Sequence, residues 1–233
     1  MHYFGGKFKI SKDLANILNP ITKGKPFVDL FCGACNVVEK ITTASSRMAN
    51  DNNPYLIALL KAIQDGYQPP TVVSREDYYY TMNHLDENPA LSGFIGIGCS
   101  YSGGWKNGYA RNYKYHTNYA KDARNTLLKQ KPKLNGVLFT YYDYNNAPIP
   151  DGAVVYCDPP YRNKRNHYFA NEFDYDAFIK WVETNKGTYD IYISEYKENV
   201  SNWPTSYEVV WEKESCQEIA NRKKTTEVLI HAR

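Results

Sequence analysis

Two consecutive prolines just after a short apolar run constrain this chain more than any other sequence feature. Residues 153–157 (Ala-Val-Val-Tyr-Cys) have the length and composition of a buried β-strand. Pro159 and Pro160 follow closely and end the strand, because proline fixes φ and lacks the N–H that a strand ladder requires. In open α/β sheets, ligands bind at the carboxyl ends of strands. The sequence therefore predicts that the Asp158 carboxylate stands at a ligand-binding edge.

The turn formed by Asp158, Pro159, Pro160 and Tyr161 has the chemistry to bind a planar amino group. The Asp158 carboxylate and the Pro159 carbonyl can both accept hydrogen bonds from an NH2 group. The Tyr161 ring can stack on the ring that carries that group. Two acceptors out of the ring plane would favour a pyramidal nitrogen, whose lone pair could attack an electrophile. These four are the predicted catalytic residues, and a proline-stiffened turn without a catalytic role is the alternative.

Composition and charge limit the class of protein and its partners. No run approaches the roughly 18 apolar residues of a membrane span, and the N-terminal residues lack a signal-peptide pattern. The five scattered cysteines suit reduced thiols, so we expect a cytoplasmic protein with no metal site. The net charge is +3, but residues 105–133 hold eight Lys/Arg and one acid, so this segment is +7 and the remainder −4. Such a basic segment indicates a local charged patch.

A strand and a small-residue loop near the N-terminus predict a nucleotide ligand. Residues 27–31 are typical of a strand, residues 32–36 of a tight turn, and a helix is predicted from Val37 onward. Asp51 follows a second strand, predicted at residues 47–50, and lies 18 positions after Gly33, a spacing typical of an acid that binds ribose hydroxyls. Capping of a helix predicted at 54–65 is the alternative role for Asp51. The glycines do not follow G-x-G-x-x-G, which favours a nucleoside ligand without a pyrophosphate.

Residues 66–133 interrupt the alternation of strands and helices. Within them a glycine-rich stretch at 93–108 is followed by alternating cationic and aromatic residues. Cations can contact phosphates, and aromatic rings can stack on bases or wedge between them. A solvated basic face is the alternative. The candidate nucleic-acid-binding residues are Tyr101, Trp105, Lys106, Arg111 and Lys114.

The order of these motifs resembles the Dam-type DNA adenine-N6 methyltransferases, the D12 class or α-group. The resemblance covers essentially the whole chain and is carried by Tyr3-Phe4-Gly5-Gly6-Lys7, Asp29-Leu30-Phe31-Cys32-Gly33, the basic insertion and Asp158-Pro159-Pro160-Tyr161. It implies an α/β fold with a seven-stranded, Rossmann-like class I methyltransferase sheet, helices on both faces and an antiparallel last strand. Residues 1–65 and 134–233 would form the catalytic domain, and residues 66–133 an inserted target-recognition domain.

The resemblance also implies S-adenosylmethionine as the cofactor and double-stranded DNA as the substrate. The target adenine would be flipped out and methylated at N6, and Tyr101 would be the wedging aromatic residue. The chain departs from the family pattern at Cys35, where a second glycine is usual, and at Ser102, where asparagine is common. The implied cofactor-binding residues are Tyr3, Gly5, Gly6, Lys7, Asp29, Phe31, Gly33, Asp51, Asp143 and Asp158.

Three other functions fit parts of the sequence. One is methylation of another amine, such as cytosine N4, RNA adenine or a protein amide, although by resemblance those enzymes often carry Ser or Asn in place of Asp158. A second is a non-catalytic DNA-binding homologue, which would not need an intact tetrapeptide. A third is a dinucleotide oxidoreductase, which would require the phosphate-binding glycines that this chain lacks.

Overall fold

The chain folds around a mixed seven-stranded sheet. The computed structural model describes residues 1–112, 116–161, 169, 173–216 and 224–233. The strands follow one another across the sheet in the order β3-β2-β1-β4-β5-β7-β6, and β7 is antiparallel to both of its neighbours. The predicted seven-stranded sheet with an antiparallel last strand is confirmed. The strands are β1 Pro26–Asp29, β2 Ser46–Asn50, β3 Val137–Thr140, β4 Val154–Cys157, β5 Asp190–Tyr196, β6 Glu208–Cys216 and β7 Lys224–Ala232.

Helices cover both faces of the sheet. Neighbouring strand residues point to opposite faces, so Phe27 packs in a cluster with Leu14 and Leu56, whereas Val28 packs in a second cluster with Phe178. The sheet is therefore buried on both sides, as the sequence predicts. No helix in the described part of the chain is both long enough and apolar enough to span a bilayer. They are α1 Ser11–Thr22, α2 Pro54–Gln64, α3 Arg75–Asn83, α4 Pro89–Gly93, α5 Tyr119–Gln130 and α6 Tyr175–Asn185.

The centre of the sheet contains a point at which the direction of the connections changes. From β1 the chain continues outward to β2 and β3, whereas β4 lies on the other side of β1 and leads to β5. All four of these pairings are parallel. The carboxyl ends of β1 and β4 are thus neighbours, and a crevice forms where the connections leave in opposite directions. Asp29 and Asp158 come from these two strand ends.

The insertion packs against the catalytic sheet. Its helices α3, α4 and α5 lie between α2 and β3 in the chain, and the buried Tyr78, Phe94 and Leu127 belong to the same cluster as Leu56 of α2. Contact between α2 and α4 is close, because a Cβ atom at Gly93 would lie 2.1 Å from the carbonyl oxygen of Tyr55. Residues 66–133 therefore share a core with the rest of the chain, and their definition as a separate domain stays a prediction.

The predicted helix from Val37 onward is wrong. The structure forms a short 3-10 turn, Val38–Lys40, and reaches β2 at Ser46. Val37, Val38 and Ile41 are all buried, and β-branched side chains of this kind are restricted in a helix. The short connection buries its apolar side chains without room for several helical turns.

The helix predicted at 54–65 is capped by Asn53 and not by Asp51. The Asn53 side chain accepts hydrogen bonds from the backbone N–H groups of Tyr55 and Leu56, and Pro54 occupies the first helical turn, where its missing N–H has no cost. The capping alternative for Asp51 is therefore wrong, and its carboxylate is directed to other partners.

Candidate active site

A cavity of about 350 Å³, called here the strand-end cavity, opens at the carboxyl ends of β1, β2 and β4. Its volume lies within the range of small-molecule sites. The cavity joins the N-terminal segment, the first strand–loop unit and the turn after β4, although these are far apart in sequence. All ten predicted cofactor-binding residues contribute to its wall, namely Tyr3, Gly5, Gly6, Lys7, Asp29, Phe31, Gly33, Asp51, Asp143 and Asp158.

The predicted catalytic residues lie at one end of this cavity. Asp158 and Pro160 line it, Pro159 is buried beneath them, and Tyr161 is partly buried next to them. The Lys7 ammonium donates to Asp158 Oδ1 at 2.8 Å and lies 4.5 Å from the centre of the Tyr161 ring. One buried cation thus contacts both the carboxylate and the aromatic face of the tetrapeptide. Sequence reasoning did not predict this contact.

The ion pair is buried among further carboxylates. Burial raises the pKa of Asp158 to about 6. The Lys7 ammonium lowers this pKa and so opposes the effect of burial, whereas the charge of Glu227 raises it by a smaller amount. Burial by itself would lower the pKa of Lys7, but Asp158, Glu227 and Glu195 outweigh it and raise that pKa. Both groups are therefore mainly ionised at pH 7, and Asp158 can take up a proton at a modest cost.

The first strand–loop unit is held in shape by Asp51. Its Oδ2 atom accepts from the Gly33 N–H at 3.0 Å, and its Oδ1 atom accepts from the Asn53 N–H at 3.0 Å. Gly33 has φ +45°, and a Cβ atom there would lie 2.8 Å from Cε1 of Tyr3. Glycine is therefore required for both the backbone conformation and the close approach of the Tyr3 ring.

The cavity wall carries an excess of acidic groups. Its described residues include five aspartates and one lysine. Burial, with a smaller contribution from the charge of Asp158, raises the pKa of Asp29 to about 8. Burial also raises the pKa of Asp51 to about 6. Asp29 Oδ1 is buried without a hydrogen-bond partner among the described residues. This wall favours a ligand that brings positive charge and hydrogen-bond donors.

A family model for the D12 class N6 adenine-specific DNA methyltransferases matches residues 3–215. The chain belongs to this class of enzymes. It is therefore a DNA adenine-N6 methyltransferase, as its ordered motifs predict, and its catalytic chemistry is the transfer of a methyl group from an S-adenosylmethionine-type donor. None of the curated proteins matches the sequence significantly.

Solved structures of other proteins resemble this methyltransferase only weakly. They include yhhF from Escherichia coli, a provisionally named methyltransferase (12% identity, 96% of this chain and 84% of that chain, TM-score 0.43). Another is the rRNA methyltransferase aviRa from Streptomyces viridochromogenes (10% identity, 95% of this chain and 82% of that chain, TM-score 0.39). The fold assignment therefore rests on the strand order of the sheet and on the family match.

The methyltransferase has an aromatic wall that the sequence motifs did not indicate. Tyr144 and Phe173 both line the strand-end cavity, and their ring centroids lie 5.7 Å and 5.8 Å from that of Phe31. Tyr144 follows Asp143 after β3, so its position near a strand end was a usable signal. Phe173 precedes the first turn of α6 and carries no such signal, because only the packing of α6 brings it to the cavity.

Asn50 is a second residue that sequence reasoning missed. Its Nδ2 group donates to the carbonyl oxygens of Leu30 at 3.2 Å and Tyr142 at 3.0 Å, and its Oδ1 atom accepts from the Tyr142 N–H at 3.1 Å. The buried side chain thereby ties together the segments that follow β1 and β3. Its place at the end of β2, immediately before Asp51, was the available signal.

Cys35 is accommodated without contact with the cavity. It has φ +59°, a left-handed conformation that favours glycine, and its side chain is fully buried in the core next to Cys32. Only Cys32 of the two cysteines lines the cavity. The departure from the family pattern at Cys35 therefore affects the backbone of the loop and not the surface that faces a ligand.

Tyr101 is presented to solvent by a tight turn that contacts the N-terminal segment. The Tyr101 side chain is 64% exposed, and Ser102 has φ +56°, a conformation that asparagine adopts more readily than serine. The Phe4 N–H donates to the Gly103 carbonyl oxygen at 3.0 Å. This turn is therefore docked on the same segment that carries Lys7 to the cavity.

The other candidate nucleic-acid-binding residues have different surroundings. Trp105 stacks on Tyr55, with ring centroids 5.4 Å apart and planes 9° apart. The Lys106 ammonium donates to the Met82 carbonyl oxygen at 2.9 Å. Arg111 is exposed, and Lys114 lies outside the described residues. Trp105 and Lys106 thus have contacts within the protein, and their roles toward DNA stay predictions.

Proposed function

We propose that this methyltransferase binds S-adenosylmethionine in the strand-end cavity and methylates N6 of an adenine flipped out of double-stranded DNA. The observation that carries the proposal is the presence of Asp158 in the wall of the same cavity as Gly33 and Asp51. A methyl donor held by the first loop would be close to an amino group held by Asp158. Bringing two reactants together in this way is a large part of enzymatic rate enhancement.

The chemistry of the cavity supports a cofactor of this type. S-adenosylmethionine carries a sulfonium and an ammonium group, and the cavity wall has an excess of carboxylates with raised pKa values. Asp29 Oδ1 offers a buried polar atom that lacks a hydrogen-bond partner among the described residues. Phe31, Tyr144 and Phe173 offer aromatic faces for the adenine ring of the cofactor. When bound, the cofactor supplies an electrophilic methyl group.

The tetrapeptide would bind and orient the target amino group. Asp158 and the Pro159 carbonyl would accept hydrogen bonds from N6, and Tyr161 would stack on the base. Because the pKa of Asp158 is raised to about 6, its carboxylate can also take up the proton that N6 loses. No stronger base is needed for this step.

Base flipping is part of this proposal because of where these groups lie. The N6 face of a paired adenine is not accessible to a side chain at the bottom of a cavity, so the base would have to leave the duplex. The exposed Tyr101, on a turn docked against the N-terminal segment, is suited to fill the space that the base leaves. A cytoplasmic location is part of this proposal.

The proposed function is tested with labelled S-adenosylmethionine and matched nucleic acids. We expect label in N6-methyladenine of unmethylated double-stranded DNA, and much less label in single-stranded DNA, RNA or duplexes without adenine. Label in N4-methylcytosine or RNA would favour the other amine methyltransferases. DNA binding without cofactor binding, measured by calorimetry, would favour the non-catalytic homologue.

Arg111 is expected to contribute to DNA affinity as an exposed cation of the insertion. It lies within the +7 segment of residues 105–133. Arg111→Ala should weaken binding and reduce the slope of log affinity against log salt by about one. Binding titrations at several salt concentrations measure this slope.

Lys23→Ala is a matched control for the loss of one cation. Lys23 is exposed and precedes β1, so it lies at the amino ends of the strands, away from the cavity. Its removal should leave the salt slope unchanged. An unchanged slope for Arg111→Ala would indicate that DNA follows another path across the insertion.

A further inference from the structure

A buried carboxylate outside the strand-end cavity contacts the catalytic tetrapeptide. Glu227 of β7 is only 5% exposed, and its Oε2 atom accepts a hydrogen bond from the Tyr161 hydroxyl at 2.9 Å. In the sheet, Glu227 is paired in register with Tyr196 of β5. The carboxylate is thus attached to a strand that is paired on both sides, with β5 and with β6. None of the roles described above uses it.

The Tyr161 ring is oriented by several independent contacts. The hydroxyl group is held by Glu227, and the ring of Tyr196 packs at 4.4 Å with an interplanar angle of 78°. The Lys7 ammonium lies 4.5 Å from the ring centroid and 2.8 Å from Asp158 Oδ1. Lys7 therefore lies next to both of the groups that the target base would contact.

The cost of burying Glu227 indicates a specific role. A buried carboxylate is unfavourable unless it is hydrogen-bonded or paired, and an apolar residue at this position of β7 would avoid that cost. The hydroxyl of Tyr161 is one of its partners. A hydrogen bond between a neutral donor and a charged acceptor is stronger and more directional than one between neutral groups. It can therefore restrict rotation of the tyrosine ring.

We propose that Glu227 is a positioning residue for methyl transfer. By accepting a hydrogen bond from the Tyr161 hydroxyl, it holds the Tyr161 ring at the angle at which the target adenine stacks beside Asp158. The inference rests on the proposed function. Glu227 does not touch the base or the cofactor in this account. It acts on the rate after binding, because a misaligned base lowers the fraction of complexes in a reactive geometry.

Four variants test this role: Glu227→Ala, Glu227→Gln, Tyr161→Phe and the double variant Glu227→Ala/Tyr161→Phe. We expect Glu227→Ala and Tyr161→Phe each to lower kcat by about tenfold, the effect of losing a hydrogen bond to a charged group. The affinity for S-adenosylmethionine should change little. The double variant should lose less than the product of the two single losses, because both remove the hydrogen bond between Tyr161 and Glu227, while Tyr161→Phe also removes the contact of its hydroxyl with Asp158. Glu227→Gln keeps an acceptor oxygen and should retain most of kcat.

Glu39→Ala is the matched control. Glu39 is a buried carboxylate, 9% exposed, which is paired with Lys40 and Lys133 and does not line the strand-end cavity. Its removal should not reproduce the fall in kcat. The inference is overturned if Glu227→Ala or Tyr161→Phe keeps the wild-type kcat, if the two losses multiply, or if Glu227→Gln is as impaired as Glu227→Ala. If Glu227→Ala does not fold, the Tyr161→Phe and Glu227→Gln results still decide between these outcomes.

The wild-type protein in the same assay separates this inference from the proposed function. Absence of N6-methyladenine with the wild-type protein would refute the proposed function, and the inference that depends on it would fall too. Wild-type methylation together with an unimpaired Glu227→Ala variant would refute only the role of Glu227.

Discussion

Replacement of Asp158 by alanine is expected to reduce methyl transfer by about a thousandfold or more, with DNA binding retained. The carboxylate is the only charged group of the tetrapeptide, and it lies in the cavity wall together with the first loop. Alanine removes both the acceptor for N6 and the site that takes up its proton. Single-turnover methylation with labelled cofactor measures the loss, and DNA binding is measured separately by fluorescence anisotropy.

Asp158→Asn is the informative companion to this variant. It keeps the size of the side chain and one acceptor oxygen but cannot take up a proton, so we expect activity between that of the wild type and Asp158→Ala. It also removes the nearest anionic partner of the buried Lys7, and unfolding measurements on both variants control for lost stability. Full activity of Asp158→Ala would end the assignment of the tetrapeptide as the catalytic site.

Replacement of Lys7 by methionine is expected to move the pH dependence of methyl transfer to higher pH. Burial raises the pKa of Asp158 to about 6, and the Lys7 ammonium opposes that rise. If the carboxylate form is active, the rate of the wild type increases with pH through about 6 and then levels off. Without Lys7 the pKa of Asp158 rises further, so less carboxylate is present at pH 7. Each unit of pKa above the working pH costs about tenfold in rate.

Lys7→Arg and Asp158→Asn are the controls for this pH profile. Lys7→Arg keeps the positive charge and should leave the midpoint near that of the wild type. Asp158→Asn should remove the pH dependence of the rate that arises from Asp158. This variant therefore separates titration of Asp158 from titration of Asp29, whose pKa is raised to about 8 in the same cavity. A midpoint that stays in place or falls in Lys7→Met would show that the ion pair does not govern the active form of the enzyme.

Local sequence signals predicted the strand ends of the site well. The strand before Asp158 was predicted at residues 153–157 and runs from Val154 to Cys157, because an apolar run and two prolines determine its length locally. The strand before Asp51 was predicted at 47–50 and begins one residue earlier. The helix predicted after Val37 failed, since burial of three β-branched side chains outweighed the expectation from the nucleotide-binding pattern.

Contacts between distant segments could not be predicted in the same way. Lys7 and Asp158 are brought together only when the N-terminal segment packs across the ends of β1 and β4. Glu227 reaches Tyr161 only because β7 is inserted antiparallel between β5 and β6. Phe173 joins Phe31 through the packing of α6 on the sheet.

Residue types and their spacing were enough to indicate the class of fold, the kind of reaction and the carboxylate at its centre, because strand ends, proline turns and glycine loops depend on short stretches of chain. The charges and rings that surround that carboxylate were decided by the folded molecule. Their positions depend on strand order and register, so residues as far apart as Lys7, Asp158 and Glu227 come close together only after the sheet has formed.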